Sequence, residues 1–422
     1  MENTISISLS NLELTRSFFA IGSLLLFAHI FSHAFHLLRL PKLIGEIGGG
    51  LLLGPTVLGF FLPDVYNWLF YAFEAEGKLI SIIYWIGLVF LMFISGFELQ
   101  KFLDKEDKKI ILALTLGSTV IPFMAGWIVF SYYDFLPYIG EKQNILALQI
   151  IIATATAITS VPVISRIFMD LGMLNTHFAK IVLATASIHD VILWIALAIA
   201  TGLVDNQSSS IVGIGFTVLV TVIFVGFSLL IMPILLNFLN NLEWNFLLKS
   251  SSTGYILFIC FLLSAVASAL DINVIFGALL AGVAVGFVHE DKFQNEIAHT
   301  KEISLAFFIP LYFAIVGLKM NLIHNLDINL LLFFFIFTTF FEMLGTIISS
   351  RFMKKDWLSS FNFGVAMTTR GGPGIVLATI AYDLGIINET FFITMVLNAI
   401  ITSLLAGAWF RYLLHQGSNI TT

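Results

Sequence analysis

Apolar runs long enough to cross a bilayer recur from one end of the chain to the other. They fall at roughly 17–38, 43–62, 80–98, 109–132, 144–168, 178–203, 210–239, 251–270, 272–289, 302–319, 327–351, 359–384 and 388–412, which is about 13 spans of the length a hydrocarbon core requires. Lipid offers no partner to a free backbone group, so only segments that close their own hydrogen bonds can occupy it. The expected fold is therefore an all-α integral membrane protein. Of 422 residues, 59% are hydrophobic and 11% charged, more apolar surface than a soluble domain could hide. The formal net charge of −6 is small for the length and points away from a nucleic-acid partner. A single cysteine, Cys260, excludes an internal disulfide, and its apolar neighbours suggest a packed, inert thiol. The stretch Met1–Leu14 lacks the basic region of a signal peptide, so the first run is expected to stay as a membrane anchor. The polar links are short, and residues 1–422 are expected to form a single transmembrane domain with no soluble module.

Orientation follows from Lys and Arg. With the N-terminus outside and an odd number of spans, Arg39, Lys42, Lys101, Lys105, Lys108, Lys109, Arg166, Lys180, Lys249, Lys292, Lys301, Arg351, Lys354, Lys355 and Arg411 lie inside. Arg16, Lys78, Lys142 and Lys319 lie outside. The bias, about fifteen to four, predicts an outside N-terminus and a cytoplasmic C-terminus in a multi-pass cell-membrane protein.

Within this pattern one stretch, Thr154–Ala200, breaks the rules of a plain membrane helix. Its first apolar segment is interrupted by Thr159-Ser160-Val161-Pro162, and its second carries His189 and Asp190 at mid-span. A carboxylate at a helix centre costs about 2.5–3.5 kcal/mol on insertion scales, which makes it a functional-site candidate by default. A helix broken at mid-membrane frees backbone groups that can bind ions. A sodium or potassium ion wants hard oxygen ligands. Asp190 would supply the charge, Thr159 and Ser160 hydroxyls, and the break carbonyls. The same carboxylate can take a proton instead, because desolvation penalises its charged form.

Other charges at depth need an explanation. Arg370 lies at the edge of a second break, Arg370-Gly371-Gly372-Pro373-Gly374. It is expected either to offset like helix-dipole ends that face each other there, or to serve as a fixed counter-ion near the cavity. Glu342, in the middle of its span, requires a partner, and His189 is the natural candidate. A neutral His189 in a helix–helix hydrogen bond is the plainer alternative. Glu46 and Glu98 are expected near an interface in structural roles. His29, His33 and His36 share one helical face without a Cys or carboxylate to complete a metal set, so cavity-lining or interface roles are favoured.

The chain also repeats itself. IGEIGGGLLLG (44–54) resembles INVIFGALLAG (272–282), and FLMFISGFEL (90–99) resembles LYFAIVGLKM (311–320). The break at Val161-Pro162 matches that at 370–374. Gly/Leu-rich helices can resemble one another by chance, but here three matches fall in the same order. Residues 44–203 and 272–412 are thus expected to be two five-helix units, each with an odd span count and hence of opposite orientation. Inverted repeats with breaks at matching places are the pattern of secondary transporters, with the site between the breaks.

Together and in order, these stretches resemble a known family. IGEIGGGLLLGPTVLG is similar to its second-helix motif, TSVPVISRI with ASIHDVILWIALAI to its ion-site helices, and FGALLAGVAVG, PLYFAIVGLKMN and MTTRGGPGIVLATIA to motifs of its second repeat. The family is the monovalent cation–proton antiporters, in the branch containing bacterial sodium–proton antiporters, Kef-type potassium transporters and plant cation–proton exchangers. The resemblance implies a homodimer with a scaffold domain and a mobile core, crossed discontinuous helices in spans five and twelve, and an elevator-like transport step. It implies that Asp190 is the cation- and proton-binding aspartate. Two positions depart from the family pattern. His189 stands where Asp or Asn precedes that aspartate, and Glu342 stands where the EMLGT stretch would carry Lys or Arg. A charge-reversed His189–Glu342 pair is the expectation drawn from this.

The expected activity is exchange of Na⁺ or K⁺ for H⁺, electroneutral if Asp190 alone trades its proton, with no covalent catalysis and no cofactor beyond the transported ions. An ion-coupled symporter of an organic solute, and a non-transporting sensor domain, are the alternatives. A role in pH homeostasis would follow from the first.

Overall fold

Because each segment must satisfy its own backbone in lipid, the apolar runs become helices rather than strands. The computed structural model describes residues 9–38, 40–71, 73, 76–99, 107–174, 176–205, 211–242, 244–288 and 293–416. Regular structure among them is helical, apart from one isolated antiparallel bridge between Ile139 and Ile387. The main helices are α1 (Asn11–Leu37), α2 (Lys42–Leu53), α3 (Glu76–Leu99), α4 (Lys108–Val129), α5 (Ile145–Ala157), α6 (Val161–Asp170), α7 (His177–Asp205), α8 (Ile211–Gly226), α9 (Met232–Asn240), α10 (Ser252–Ala269), α11 (Val274–Gly286), α12 (Gln294–Ile303), α13 (Ile309–Lys319), α14 (Ile328–Phe352), α15 (Trp357–Met367), α16 (Gly371–Asp383) and α17 (Glu389–His415). Of the residues used for orientation, Arg39, Lys101, Lys105 and Lys292 lie outside the described residues, as do residues 1–8 of the N-terminal stretch.

Among the described residues, eleven helical stretches are long and apolar enough to cross a membrane. Two of the predicted runs take other forms. Run 272–289 contracts to α11, because Asp271 turns the chain with φ 55° and Asn273 caps the helix, accepting from the Ile275 N–H at 2.9 Å. Its 13 residues reach only about 20 Å. Run 359–384 splits into α15 and α16. Two stretches pass through a π-helical turn, at 227–231 and 304–308, just before a helix with proline in its first turn. The wider turn gives room to the proline ring, which would otherwise press on the carbonyl one turn back.

The chain divides into two compact units. The first comprises Met1–Phe90 and Glu302–His324. In it α2 lies so close to α13 that a β-carbon on Gly317 would strike the backbone of Ile47 and Leu51. Tyr84 and Tyr312 pack with ring centroids 5.2 Å apart, and the Thr56 hydroxyl donates to the Met320 carbonyl at 2.6 Å. Glu46 is buried here and accepts from the Ser32 hydroxyl at 3.4 Å. His29 Nε2 sits 3.0 Å from the Ala306 carbonyl, a helix-to-helix contact.

The second unit comprises Leu91–Lys301 and Asn325–Thr422. A β-carbon on Gly96 would strike the backbone of Leu279 and Val283 in α11. The core is formed by α5, α7 and α16. Every residue of α16 from Gly371 to Ala381 is buried, as expected of a helix apolar on all sides. This unit contains both helix breaks and every charged residue singled out in the sequence at mid-span.

Candidate functional site

The first break arises where Ile158 turns extended after α5. Ser160 then starts α6, its hydroxyl accepting from the Val163 N–H at 3.3 Å. Pro162 in the first helical turn lacks an N–H that would have no partner there anyway. The second break follows α15 at Thr368–Arg370. Gly371 has φ 33°, and a β-carbon on it would strike Val163 and the Ser160 hydroxyl. The two breaks therefore press on each other at Gly371, which only a residue without a side chain allows. Two helix C-termini, those of α5 and α15, and two N-termini, those of α6 and α16, meet at this crossing.

Arg370 lies on the C-terminal side, 2% exposed. Its guanidinium donates to the carbonyls of Ala155 (3.3 Å), Thr156 (3.1 Å) and Thr368 (3.1 Å). These carbonyls are the ones that the end of a helix leaves unsatisfied, and they carry the negative end of its dipole. Arg370 Nη2 also donates to Glu342 Oε2 at 2.7 Å, in a fully buried ion pair. The partner of Glu342 is thus Arg370, not His189 as the sequence suggested. Thr159 stands between them: its hydroxyl lies 2.9 Å from Glu342 Oε1, 2.7 Å from the Met367 carbonyl and 3.1 Å from His189 Nδ1. His189 reaches the acid only through that threonine. Arg370 lies 28 residues from Glu342 along the chain, and His189 lies farther still, but separation in sequence does not say which of them the packing brings to the acid.

Asp190 follows His189 on α7 and so points about 100° around the helix from it. It is 6% exposed, and among the described residues its Oδ1 has no hydrogen-bond partner. The side chain lines a cavity of about 30 Å³ together with Ser95, Glu98, Ser165 and Trp194, room for a bare ion and a water or two but not for an organic solute. Val161 and Pro162, at the start of α6, and Pro373, in the first turn of α16, close its floor. The first turns of two helices, the positive ends of their dipoles, therefore share the cavity lining with Asp190.

Thr159 and Ser160 were expected to be the hydroxyl ligands. The structure commits the first to Glu342 and Met367, and the second to capping α6. The hydroxyls that share the cavity with Asp190 belong to Ser95 and Ser165. Each donates its proton to a carbonyl of its own helix, Leu91 at 2.8 Å and Pro162 at 3.1 Å, which leaves oxygen lone pairs for a cation. Neither serine stood out in the sequence, where each is one small polar residue in an apolar helix. Glu98 also lines the cavity, and Lys301 Nζ donates to its Oε1 at 2.5 Å. A glutamate in the last turn of a helix, against the negative dipole end, was the available signal.

Similarity to known proteins can be set beside this geometry. A family profile described as "Sodium/hydrogen exchanger, transmembrane" matches residues 22–416, a range that includes both breaks and Asp190. Cation/H(+) antiporter 17 of Arabidopsis thaliana is 29% identical over 399 residues, 91% of this chain and 46% of that protein. The probable Na(+)/H(+) antiporter 3 of Methanocaldococcus jannaschii is 26% identical over 371 residues, 86% of this chain and 88% of that protein. The chain spans about half the length of the plant relatives it matches. The structure of the sodium proton antiporter MjNhaP1 from Methanocaldococcus jannaschii at pH 8 aligns with a TM-score of 0.70 and 15% identity, covering 94% of this chain and 97% of that one. That likeness is one of fold.

Proposed function

The chain belongs to the sodium/hydrogen exchanger family, and from that premise we propose that it exchanges a monovalent cation, sodium or potassium, for a proton across a membrane. The observation that carries the proposal is Asp190: a carboxylate at mid-span, out of water, with an unpartnered oxygen in a cavity the size of an ion. Such a group binds a proton or a cation in turn. A cation would take one oxygen from Asp190 and others from Ser95, Ser165 and water, a hard-oxygen set suited to an alkali ion. The volume of the cavity does not favour an organic solute.

The stoichiometry follows from charge. With a cation bound, Asp190 is neutralised; with a proton bound, it is neutral again. Glu342 is already balanced by Arg370, so the proposed cycle moves no net charge and is electrically silent. Each uncompensated charge would otherwise contribute about 2.3 kcal/mol per 100 mV.

Several further features extend the proposal. Residues 44–203 and 272–412 are read as inverted repeats. In support, Gly317 and Gly96 are equivalent in the two motifs, and each abuts the backbone of the other motif's helix, α2 in one unit and α11 in the other. The Lys and Arg distribution supports an outside N-terminus and an inside C-terminus. A homodimer working by an elevator-type step is carried over from the family resemblance. Its structural counterpart would be exposure of Asp190 to the two sides in turn.

The test is transport by the purified protein in liposomes with Na⁺, K⁺ or Li⁺ gradients and a pH-sensitive dye. Exchange is expected from wild type, to be lost in Asp190→Asn, and to be indifferent to an imposed membrane potential. Exchange by Asp190→Asn at the wild-type rate would reject the site. A rate that tracks voltage would reject the stoichiometry.

A further inference from the structure

The cavity that contains Asp190 has a second acid on its wall, and that acid is not free. Glu98 sits in the last turn of α3, where the helix dipole disfavours a negative charge. A plain structural helix end would place a base there. Lys301, from α12, holds Glu98 at 2.5 Å, and the two side chains are 33% (Glu98) and 42% (Lys301) exposed. Deeper in the same cavity, Asp190 is 94% buried and presents an oxygen with no partner. One small space thus joins a half-open acid that carries an ammonium group to a buried acid whose Oδ1 has no hydrogen-bond partner among the described residues, with Ser95 and Ser165 in the same lining.

A lysine ammonium is itself a monovalent cation, tethered by a flexible four-carbon stem. Whatever alkali ion reaches this cavity meets Glu98 with that tethered ion already in place. We propose that Glu98 is an outer cation contact on the way to Asp190, and that Lys301 is a built-in competitor which the arriving ion must displace. The pair sets how much cation is needed to load the inner site. The inference rests on the antiport proposed above for the route it serves, and it adds a specificity-determining pair to that route.

Size follows from exposure. An ion pair this open to solvent is worth about 0.2–1 kcal/mol, so the expected shifts in apparent cation affinity are about 1.4- to 5-fold. In proteoliposomes, Lys301→Gln should lower the KM for Na⁺ or K⁺, because Glu98 is released to the ion. Glu98→Gln should raise it, and both changes should fall on KM more than on the maximal rate. The exchanged pair, Glu98→Lys with Lys301→Glu, separates a structural role from this one. It rebuilds the ion pair and should recover the thermal midpoint, yet it puts an ammonium on the cavity wall and should keep KM high.

A second readout does not depend on transport: the concentration of NaCl or KCl, at constant ionic strength with choline, that gives half of the cation-induced thermal stabilisation. The same order of variants is expected in it. Single variants with wild-type half-saturation in both measurements would overturn the inference, as would an exchanged pair that restores wild-type KM. If no variant, wild type included, exchanges cations while the half-saturating concentrations still shift as stated, the transport proposal fails and the Glu98–Lys301 inference stands.

Discussion

The second unit buries two mid-span acids, and their surroundings differ in almost every respect. Glu342 has both oxygens engaged, one by the Arg370 guanidinium and one by Thr159. Arg370 in turn spends its other donors on the open carbonyls of α5 and α15. Asp190 has an oxygen with no partner and a cavity in front of it. The first acid belongs to a structural device: Arg370 offsets the meeting of two negative helix ends, and Glu342 balances Arg370. The second, sharing its cavity lining with two positive ends, is left unfinished. Depth in the membrane makes both residues candidates; the number of satisfied lone pairs distinguishes the one held in a closed pair from the one free to change partners.

The contrast is breakable, starting with its largest consequence. Asp190→Asn should reduce cation-dependent proton movement in proteoliposomes to the level of empty vesicles. Stability should change by less than about 1 kcal/mol, because Asp190 Oδ1 has no hydrogen bond to lose among the described residues. A large drop in the thermal midpoint in detergent would mean that Asp190 is structural after all. Next comes the sealed pair. Glu342→Gln leaves Arg370 charged and unpaired, and should cost about 3–5 kcal/mol of stability. Arg370→Met should cost at least as much, since three carbonyls lose their donor as well. The double variant should be more stable than the sum of the two losses predicts, by an amount that a double-mutant cycle of unfolding midpoints reads directly. Strict additivity would refute the coupling.

Two smaller effects sharpen the comparison. Ser95→Ala with Ser165→Ala removes the hydroxyls on the Asp190 side, and should raise the cation KM by at least about two- to tenfold, the worth of one ordinary polar contact. An unchanged KM would leave the carboxylate and water as the whole site. His189→Gln touches the Glu342 side through Thr159, and should cost about 0.5–1.5 kcal/mol in stability with the cation KM left as it is. A KM shift as large as that of the serine pair would move His189 across the divide into the ion site.

Much of this was legible along the chain. Helices, their approximate ends, both breaks and the special position of Asp190 all followed from runs of apolar residues and the polar residues that interrupt them. The run from 144 to 168 appears as a broken span at Ile145–Met169, and the Pro162 interruption sits where the sequence put it. Partnership is less legible. Depth makes His189 one candidate partner for Glu342 and a neutral helix–helix hydrogen bond the other; the structure pairs Glu342 with Arg370 and sets His189 Nδ1 against the Thr159 hydroxyl. Thr159 and Ser160 neighbour the break, while Ser95 and Ser165, on α3 and α6, line the cavity.

The division has a physical cause. Whether a segment enters lipid, and whether its helix can continue, depend on residues next to one another in the chain, so sequence alone decides them. The company of a buried charge is drawn from helices far apart in sequence, and which atoms come within 3 Å is settled by how α3, α5, α6, α7, α14 and α16 pack. A glycine at 371 that lets two breaks touch, and a rotation of about 100° between His189 and Asp190, assign one residue to a closed ion-pair cluster and its neighbour to an open cavity.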